Sequence, residues 1–455
     1  MYVVIGGAGE VGYQIARILY KEGYNVAIIE KDIEKNDRSR SLDALVISGN
    51  AAAPSKLKEA GIESADIFIS VTGSDETNIL SCAKAKPAGC RTIARVNSLD
   101  YISEPISNRL RSYGVDVALC PDLITSKKMA RLLTMPSLMD VDIFANGRVQ
   151  IIEARVRRNS LMVGKKLKDI HLPPSTDIIS IYRDNAIRLP ENTHRLLPDD
   201  RVVFILTDSR QMIPLEQLLA GPQTRKNLGN NIERVMIIGA TRIGISLAKY
   251  LEQRVKVILV DSDKEACKAA SEQLSNSLVI LGDGTDEGTL KEENIDTIDA
   301  FVATTSNEDT NMFSCLLGKE FGAKKTIALI NRPKLKSMFE NIGIDIAVSP
   351  RMITVNSALQ HIYQSEMLAL SILHGGEAKI LEMKPRSNSK VIGRPLKKIK
   401  FPHNVKIAAI VRGTQVALPK GNEMIKPGDR FIIFSMTESV PKVDRLLTKS
   451  GFMRS

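Results

Sequence analysis

Tyr2-Val3-Val4-Ile5-Gly6-Gly7-Ala8-Gly9-Glu10-Val11-Gly12 reads as a buried strand, a glycine turn and the first turn of a helix. Gly7, Gly9 and Gly12 keep the G-x-G-x-x-G spacing, and each has its own task. Gly7 permits the tight turn, Gly9 lets backbone approach a diphosphate, and Gly12 lets the helix pack closely on the strand. The helix then begins with free N–H groups and a positive dipole end aimed at the anion. Alone the pattern is weak, but its surroundings agree with it. Val11, Ile15, Ile18 and Leu19 mark one helix face, and the next strand, Val26-Ala27-Ile28-Ile29, ends in Glu30. That carboxylate stands 21 positions after Gly9, where an acid accepts from ribose hydroxyls. The stretch points to a dinucleotide or an adenine nucleotide.

Downstream, strands at Leu45–Ser48, Ala65–Val71, Arg91–Val96 and Val115–Leu119 alternate with short helices, among them a charged stretch at Asp32–Arg40 and one near Ile102–Leu110. This spacing predicts a parallel, doubly wound sheet. Its polar strand ends (Gly7–Gly9, Glu30, Asn50, Thr72–Gly73, Arg95) fall on one edge, where such folds bind ligands. A helix at Leu123–Leu133 leaves the sheet, and Pro136 marks a break. The texture then changes to short alternating strands at Gln150–Ala154, Ile178–Ile181 and Arg201–Leu206, closed by a helix near Ile213–Leu219.

After a polar linker, Gly221–Asn231, the whole order recurs. Val235-Met236-Ile237-Ile238-Gly239 restarts a strand, Gly244 matches Gly12, and Asp261 matches Glu30. Gly282-Asp283-Gly284 matches Gly49-Asn50-Ala51, Asp309-Thr310-Asn311 matches Glu76-Thr77-Asn78, and Pro350 matches Pro121. The β-rich part repeats too: Gly147 and Gly164 recur as Gly376 and Gly393, and Leu196–Arg201 as Ile425–Arg430. The expected architecture is α/β: two Rossmann-like sheets, each followed by a small β-rich α+β module, with boundaries at 1–135, 136–221, 232–365 and 366–455.

Composition narrows the functional classes. Of 455 residues, 43% are hydrophobic and 25% charged, an ordinary globular balance. No apolar run reaches the eighteen or so residues that span a bilayer. A strand starting next to Met1 leaves no room for a signal peptide, which predicts a cytoplasmic location. Cys82, Cys90, Cys120, Cys267 and Cys315 are scattered, as reduced packed thiols are. The net charge is +11, but the basic residues are spread out and aromatics are 4% with no tryptophan, which argues against nucleic acid.

These residues resemble a known family. Two copies of a nucleotide-binding sheet domain plus a β module are similar to tandem regulator-of-potassium-conductance (RCK) domains, as in the peripheral subunits of Trk-type potassium uptake systems. The resemblance is carried by Gly7–Gly12, Glu30, Gly49-Asn50-Ala51, Thr72–Asn78 and Ala94-Arg95-Val96, and it covers essentially the whole chain. It implies a cytoplasmic gating assembly, a tetramer, binding NAD(H) and ATP or ADP beneath a membrane potassium-translocating subunit. It implies cofactor contacts from Gly7, Ala8, Gly9, Glu10, Val11, Glu30, Asn50, Ala51, Thr72, Gly73 and Arg95. In the second copy the matching positions are Gly239, Ala240, Thr241, Arg242, Ile243, Asp261 and Asp283. That copy departs at Leu329, which stands where Arg95 does, and at Thr241, which stands where Gly9 does. A Cβ at Thr241 would hold backbone away from a diphosphate, and a positive φ there would be strained.

The competing reading is an NAD-dependent oxidoreductase. Hydride transfer needs a substrate domain with a positioned acid, base or metal. The β modules carry no clustered His, Cys or paired carboxylates, and His171, His194, His361, His374 and His403 stand isolated. Lys165-Lys166 and Lys397-Lys398 read as solvated faces. Asp75-Glu76 and Glu308-Asp309 read as helix caps, with cation coordination as the alternative. Binding without turnover is therefore the expectation, with no catalytic residues and no metal.

Overall fold

Five consecutive buried positions, Val3 to Gly7, make the first strand suitable only for the middle of a sheet, flanked on both faces. The computed structural model places it there. It describes residues 1–21, 23–32, 44–101, 106–133, 137–184, 186–221, 232–362, 367–373 and 377–448. The expected Asp32–Arg40 helix, the Pro136 break, His374, Gly376 and the linker after Gly221 lie wholly or almost wholly outside them.

In chain order the first domain runs β1 (Tyr2–Gly6), α1 (Glu10–Lys21), β2 (Asn25–Glu30), β3 (Leu45–Ser48), α2 (Pro54–Glu59), β4 (Ile67–Ser70), α3 (Asp75–Ala85), β5 (Arg91–Arg95), α4 (Ile106–Ser112), β6 (Val117–Leu119) and α5 (Pro121–Leu133). The strands form one parallel sheet, ordered β3-β2-β1-β4-β5-β6, with successive strands added to one side of β1 up to β3 and to the other side from β4 on. One face packs Val4, Ala27, Ile29, Phe68, Cys82 and Leu110 into a continuous core. α1 turns Val11, Ile15, Ala16 and Leu19 inward, as its 3.6-residue stripe requires.

Next comes the β module: β7 (Leu138–Phe144), β8 (Val149–Arg155), β9 (Thr176–Arg183), β10 (Ala186–Arg188), β11 (Arg201–Leu206) and α6 (Met212–Ala220). It forms an antiparallel sheet of order β10-β9-β11-β8-β7, two strands richer than sequence alone gave. The added strands are β7 and β10, and β10 has only three residues.

The second copy repeats both layouts. Its parallel sheet runs β12 (Arg234–Ile238), α7 (Arg242–Leu251), β13 (Lys256–Asp261), α8 (Lys264–Gln273), β14 (Leu278–Leu281), α9 (Glu287–Glu292), β15 (Ala300–Ala303), α10 (Glu308–Glu320), β16 (Lys325–Leu329), α11 (Lys336–Ile342), β17 (Ile346–Val348) and α12 (Pro350–Ile362). Its order is β14-β13-β12-β15-β16-β17. The last module is β18 (Met367–Leu373), β19 (Ala378–Met383), β20 (Val405–Arg412), β21 (Gln415–Ala417), β22 (Arg430–Met436) and α13 (Val440–Thr448), ordered β18-β19-β22-β20-β21.

The chain forms two compact units that do not follow its halves. One comprises Met1–Ser126 with Ile330–Pro333 and Ser349–Ile362; the other holds the rest. The first unit thus includes α12, from the second copy, packed on α1 and β6 with Val355, Ala358, Leu359 and Ile362 buried. Arg91 at the start of β5 donates from Nη1 to the carbonyl of His361 at 2.8 Å. The second unit shows the counterpart: Lys325 at the start of β16 donates from Nζ to the carbonyls of Leu132, on α5, and Leu138.

Within the second unit the two antiparallel sheets share one core, including Phe144, Ile151, Ile179, Ile380, Ile432 and Phe434. The repeated Leu196–Arg201 and Ile425–Arg430 stretches are structural turns. Buried Asp200 takes a two-pronged bond from Arg183 at 2.6 and 2.7 Å and accepts from the N–H of Leu197; Asp429 does the same with Arg412 and Lys426. Among the described residues no helix is long and apolar enough to cross a membrane.

Candidate functional site

Gly7 and Gly12 take the turn and packing positions that their spacing predicts. Gly7 has φ +99°, and a Cβ on it would lie 3.1 Å from the backbone of Thr72. A Cβ on Gly12 would lie 2.0 Å from the carbonyl oxygen of Gly7, so helix and strand meet there without a side chain. A Cβ on Gly9 would meet nothing within 4 Å. It would project into open space at the first turn of α1. Glu30 is fastened to this turn: the N–H of Ala8 donates to Oε2 at 2.5 Å and that of Asp32 to Oε1 at 2.9 Å. Both carboxylate oxygens are thereby oriented, with lone pairs left for further donors. Glu10 accepts from Gln14 at 2.9 Å, Val11 faces the core, and Asn50 closes a turn by accepting from the N–H of Ala52 at 2.9 Å. Ala51 is buried against Gly6.

Asn78, which the sequence gives only as part of the Thr72–Asn78 loop, has a defined task in the fold. Fully buried, it accepts on Oδ1 from the N–H and Oγ1 of Thr72 at 2.8 and 2.7 Å. Its Nδ2 donates to the carbonyls of Thr72 and Arg95 at 3.2 and 2.9 Å. One amide therefore pins the Thr72–Gly73 loop to the end of β5, where Arg95 stands with Nε 3.2 Å from the Oδ1 of Asn97. The recurrence of Asn at 78 and 311 was the available signal. Both α3 and α10 are capped, but by Ser74 and Asn307, not by the acidic pairs that follow them. Asp75 instead accepts from the N–H groups of Asn97 and Ser98 at 2.8 to 2.9 Å. Among the described residues, no three His, Cys, Asp or Glu side chains converge as a metal site.

The second copy rebuilds the same frame with a different entrance. Gly239 has φ +107°, and a Cβ on Gly244 would lie 2.1 Å from the carbonyl oxygen of Gly239. Asp261 accepts from the N–H of Ala240 at 2.6 Å and of Asp263 at 2.8 Å, as Glu30 does. Asn311 reproduces Asn78, holding Thr305 to the carbonyl of Leu329. Asp283 accepts from the N–H and hydroxyl of Thr285 at 2.8 and 2.7 Å. Arg242 is exposed and Ile243 half-buried, while Leu329 is buried where the first copy has Arg95.

Thr241 corrects an expectation. Its φ of −74° and ψ of 167° are ordinary extended values, so it is unstrained. It is the N-cap of α7: Oγ1 accepts from the N–H of Gly244 at 3.2 Å and donates to the carbonyl of Thr304 at 2.9 Å. Where Gly9 leaves the helix end open, Thr241 satisfies it from within. A second difference lies behind the turn. In the first copy Gly6 faces Ala51; in the second Ile238 faces Gly284, where a Cβ would lie 2.2 Å from the Ile238 side chain. Bulk has moved from the loop after the third strand to the end of the first strand of the sheet.

Comparison with known proteins agrees with this layout. The TrkA-N domain matches residues 3–121 and again 235–350, and the TrkA-C domain matches 151–212 and 380–448. "Trk system potassium uptake protein TrkA homolog 2" of Methanosarcina mazei is 37% identical over 98% of this chain and 100% of its own length. "Trk system potassium uptake protein TrkA" of Vibrio alginolyticus is 32% identical over 99% of this chain and 100% of its own. The structure "GsuK channel bound to NAD" shares the fold with a TM-score of 0.61 at 18% identity, over 98% of this chain and 78% of that one. With both domain types duplicated in tandem along almost its entire length, the chain belongs to the TrkA family.

Proposed function

We propose that this chain is the cytoplasmic nucleotide-binding regulatory subunit of a Trk-type potassium uptake system and carries no catalytic activity of its own. It works as a homo-oligomer, a tetramer, docked at the inner face of the membrane on the potassium-translocating subunit. The observation that carries this reading is the open cradle over Gly9 beside a carboxylate fixed to the same turn. NAD(H) fits it: the diphosphate lies over the first turn of α1, and the ribose hydroxyls donate to Glu30. The 2′-phosphate of NADP(H) meets the same carboxylate and is repelled. The bound nucleotide bridges the ends of β1, β2, β4 and β5 and favours one arrangement of the assembly, which is all a gating ligand needs to do.

The second site is the weaker dinucleotide site, because Thr241 caps the helix end and Leu329 supplies no charge. It suits a mononucleotide such as ATP or ADP. Calorimetry separates the two sites. NADH is expected to bind at least about tenfold more tightly than NADPH, a difference of about 1.4 kcal/mol, and Glu30→Ala to remove most NADH affinity while Asp261→Ala leaves it. Equal affinities, or the reverse ranking of the two variants, would overturn the assignment. The regulatory role is tested by co-purification with a Trk-type membrane subunit and potassium flux with and without NADH. Flux that ignores the chain and the nucleotide refutes it.

A further inference from the structure

The two β modules face each other in the second unit, and their equivalent residues lie 229 positions apart. Arg183–Asp200 recurs as Arg412–Asp429, and Arg201–Glu153 as Arg430–Glu382. The shared core follows the same rule, with Ile151 and Ile380 both in it, as are Val203 and Ile432. Two similar modules packed this way are related by an approximate two-fold axis. On such an axis a residue meets its own equivalent.

Two contacts are of that kind. Lys406 Nζ lies 2.8 Å from Asp177 Oδ2 and also donates to the carbonyl of Ile178 at 2.5 Å. The hydroxyl of Ser371 donates to Asp142 Oδ2. The members of each contact are equivalent positions, yet they are chemically unlike. The first module presents two carboxylates to the axis; the second presents an ammonium and a hydroxyl.

The consequence follows from Coulomb repulsion. If the first module packed on a copy of itself, Asp177 would face Asp177 and Asp142 would face Asp142. If the second packed on itself, Lys406 would face Lys406. Only the mixed pair satisfies both positions. Ser371 is 1% exposed, so a second carboxylate there would be largely desolvated, and Lys128, 3.3 Å from Asp142 Oδ1 and shared with Asp140, offsets only part of that cost. The 177/406 position is wetter and contributes less by itself.

We propose that these axis positions make the pairing surface of the first β module specific for the second module and hostile to a copy of itself, so that module pairing is unlike-with-unlike. The partner is the chain's own second module, and specificity rests on rejection as much as on attraction.

Four full-length chains test this by their melting midpoints. Ser371→Asp with Lys406→Asp makes both axis positions acidic on both sides. Asp142→Ser with Asp177→Lys makes the axis like-with-like in the other sense; Lys128 then keeps Asp140, 2.6 Å away, as its partner. Combining all four substitutions exchanges the two faces and restores complementarity. The expected result is that each double variant melts several degrees below the wild type and the quadruple variant recovers most of that loss. Double variants melting with the wild type, or a quadruple variant no better than the worse double, would overturn the proposal. Should the double variants fail to fold, soluble quadruple protein supports it and insoluble quadruple protein overturns it.

Discussion

At Gly9 and Gly12 the same substitution should have opposite signatures. Gly12→Ala places a methyl group 2.0 Å from the Gly7 carbonyl, so strand or helix must shift, at a cost of roughly 3 kcal/mol. Gly9→Ala meets only open space, so the melting midpoint should hold while NADH affinity falls. Melting and NADH titration of both variants check this; a Gly9→Ala protein that binds NADH normally would place the diphosphate elsewhere. The close packing at Gly12 and the open space at Gly9 were legible because each follows from the absence of a side chain at a fixed spacing. The state of Thr241 was not. A threonine in a glycine's place announces lost access, but only its dihedral angles reveal a helix cap without strain. Asn78 was equally hidden, since its amide bonds join residues up to 17 positions apart.

The strand starts β5 and β16 hold helix ends with different cations. Arg91 stays charged at any accessible pH. Lys325, almost wholly buried, is pushed down to about 7 by burial, against the opposing pull of Glu216 and Asp345 and with a further push from Arg157. Glu216 on α6 accepts from the N–H of Ser137, and Asp345 is paired with Lys319. The sign follows from proton counting. Between about pH 7 and the ordinary lysine range the unfolded chain holds a proton that the folded chain lacks, so stability rises with pH. It is lowest below pH 7, where the folded chain must carry the buried charge. Relative to Lys325→Met, the wild type should therefore gain up to about 1.4 kcal/mol per pH unit across that window. Denaturant unfolding of both proteins at pH 6.5, 8 and 9.5 checks this; a pH-independent difference would mean that Lys325 stays charged when folded. α12 buries Val355, Leu359 and Ile362, but an apolar helix face says by itself only that something covers it. Which sheet it covers is decided by chain path.

For the molecule, that path means the halves are not independent bodies. Residues 1–221 alone lack α12 and so leave α1 and β6 without the helix that covers them in the whole chain. This fragment is expected to be insoluble by itself and to be rescued, as a co-purifying pair, by residues 232–455 expressed beside it. A monomeric 1–221 fragment that melts cooperatively at the temperature of the intact protein would contradict this. The duplication and the two sheet types were readable from the recurrence of glycines and acids; the exchange of α12 was not, because a repeat records what is copied and not where it packs. Genes with two similar halves are open to gene conversion, in which one half overwrites a tract of the other. Here the Gly6–Ala51 and Ile238–Gly284 pairs stand in the way. A tract carrying isoleucine into position 6 drives its branched side chain into Ala51, whose methyl group lies 2.9 Å from where even a Cβ would sit, and the reverse tract leaves a hole beside Gly284. A tract that covers only one member of either pair is therefore disfavoured, and the two candidate sites keep their separate packing.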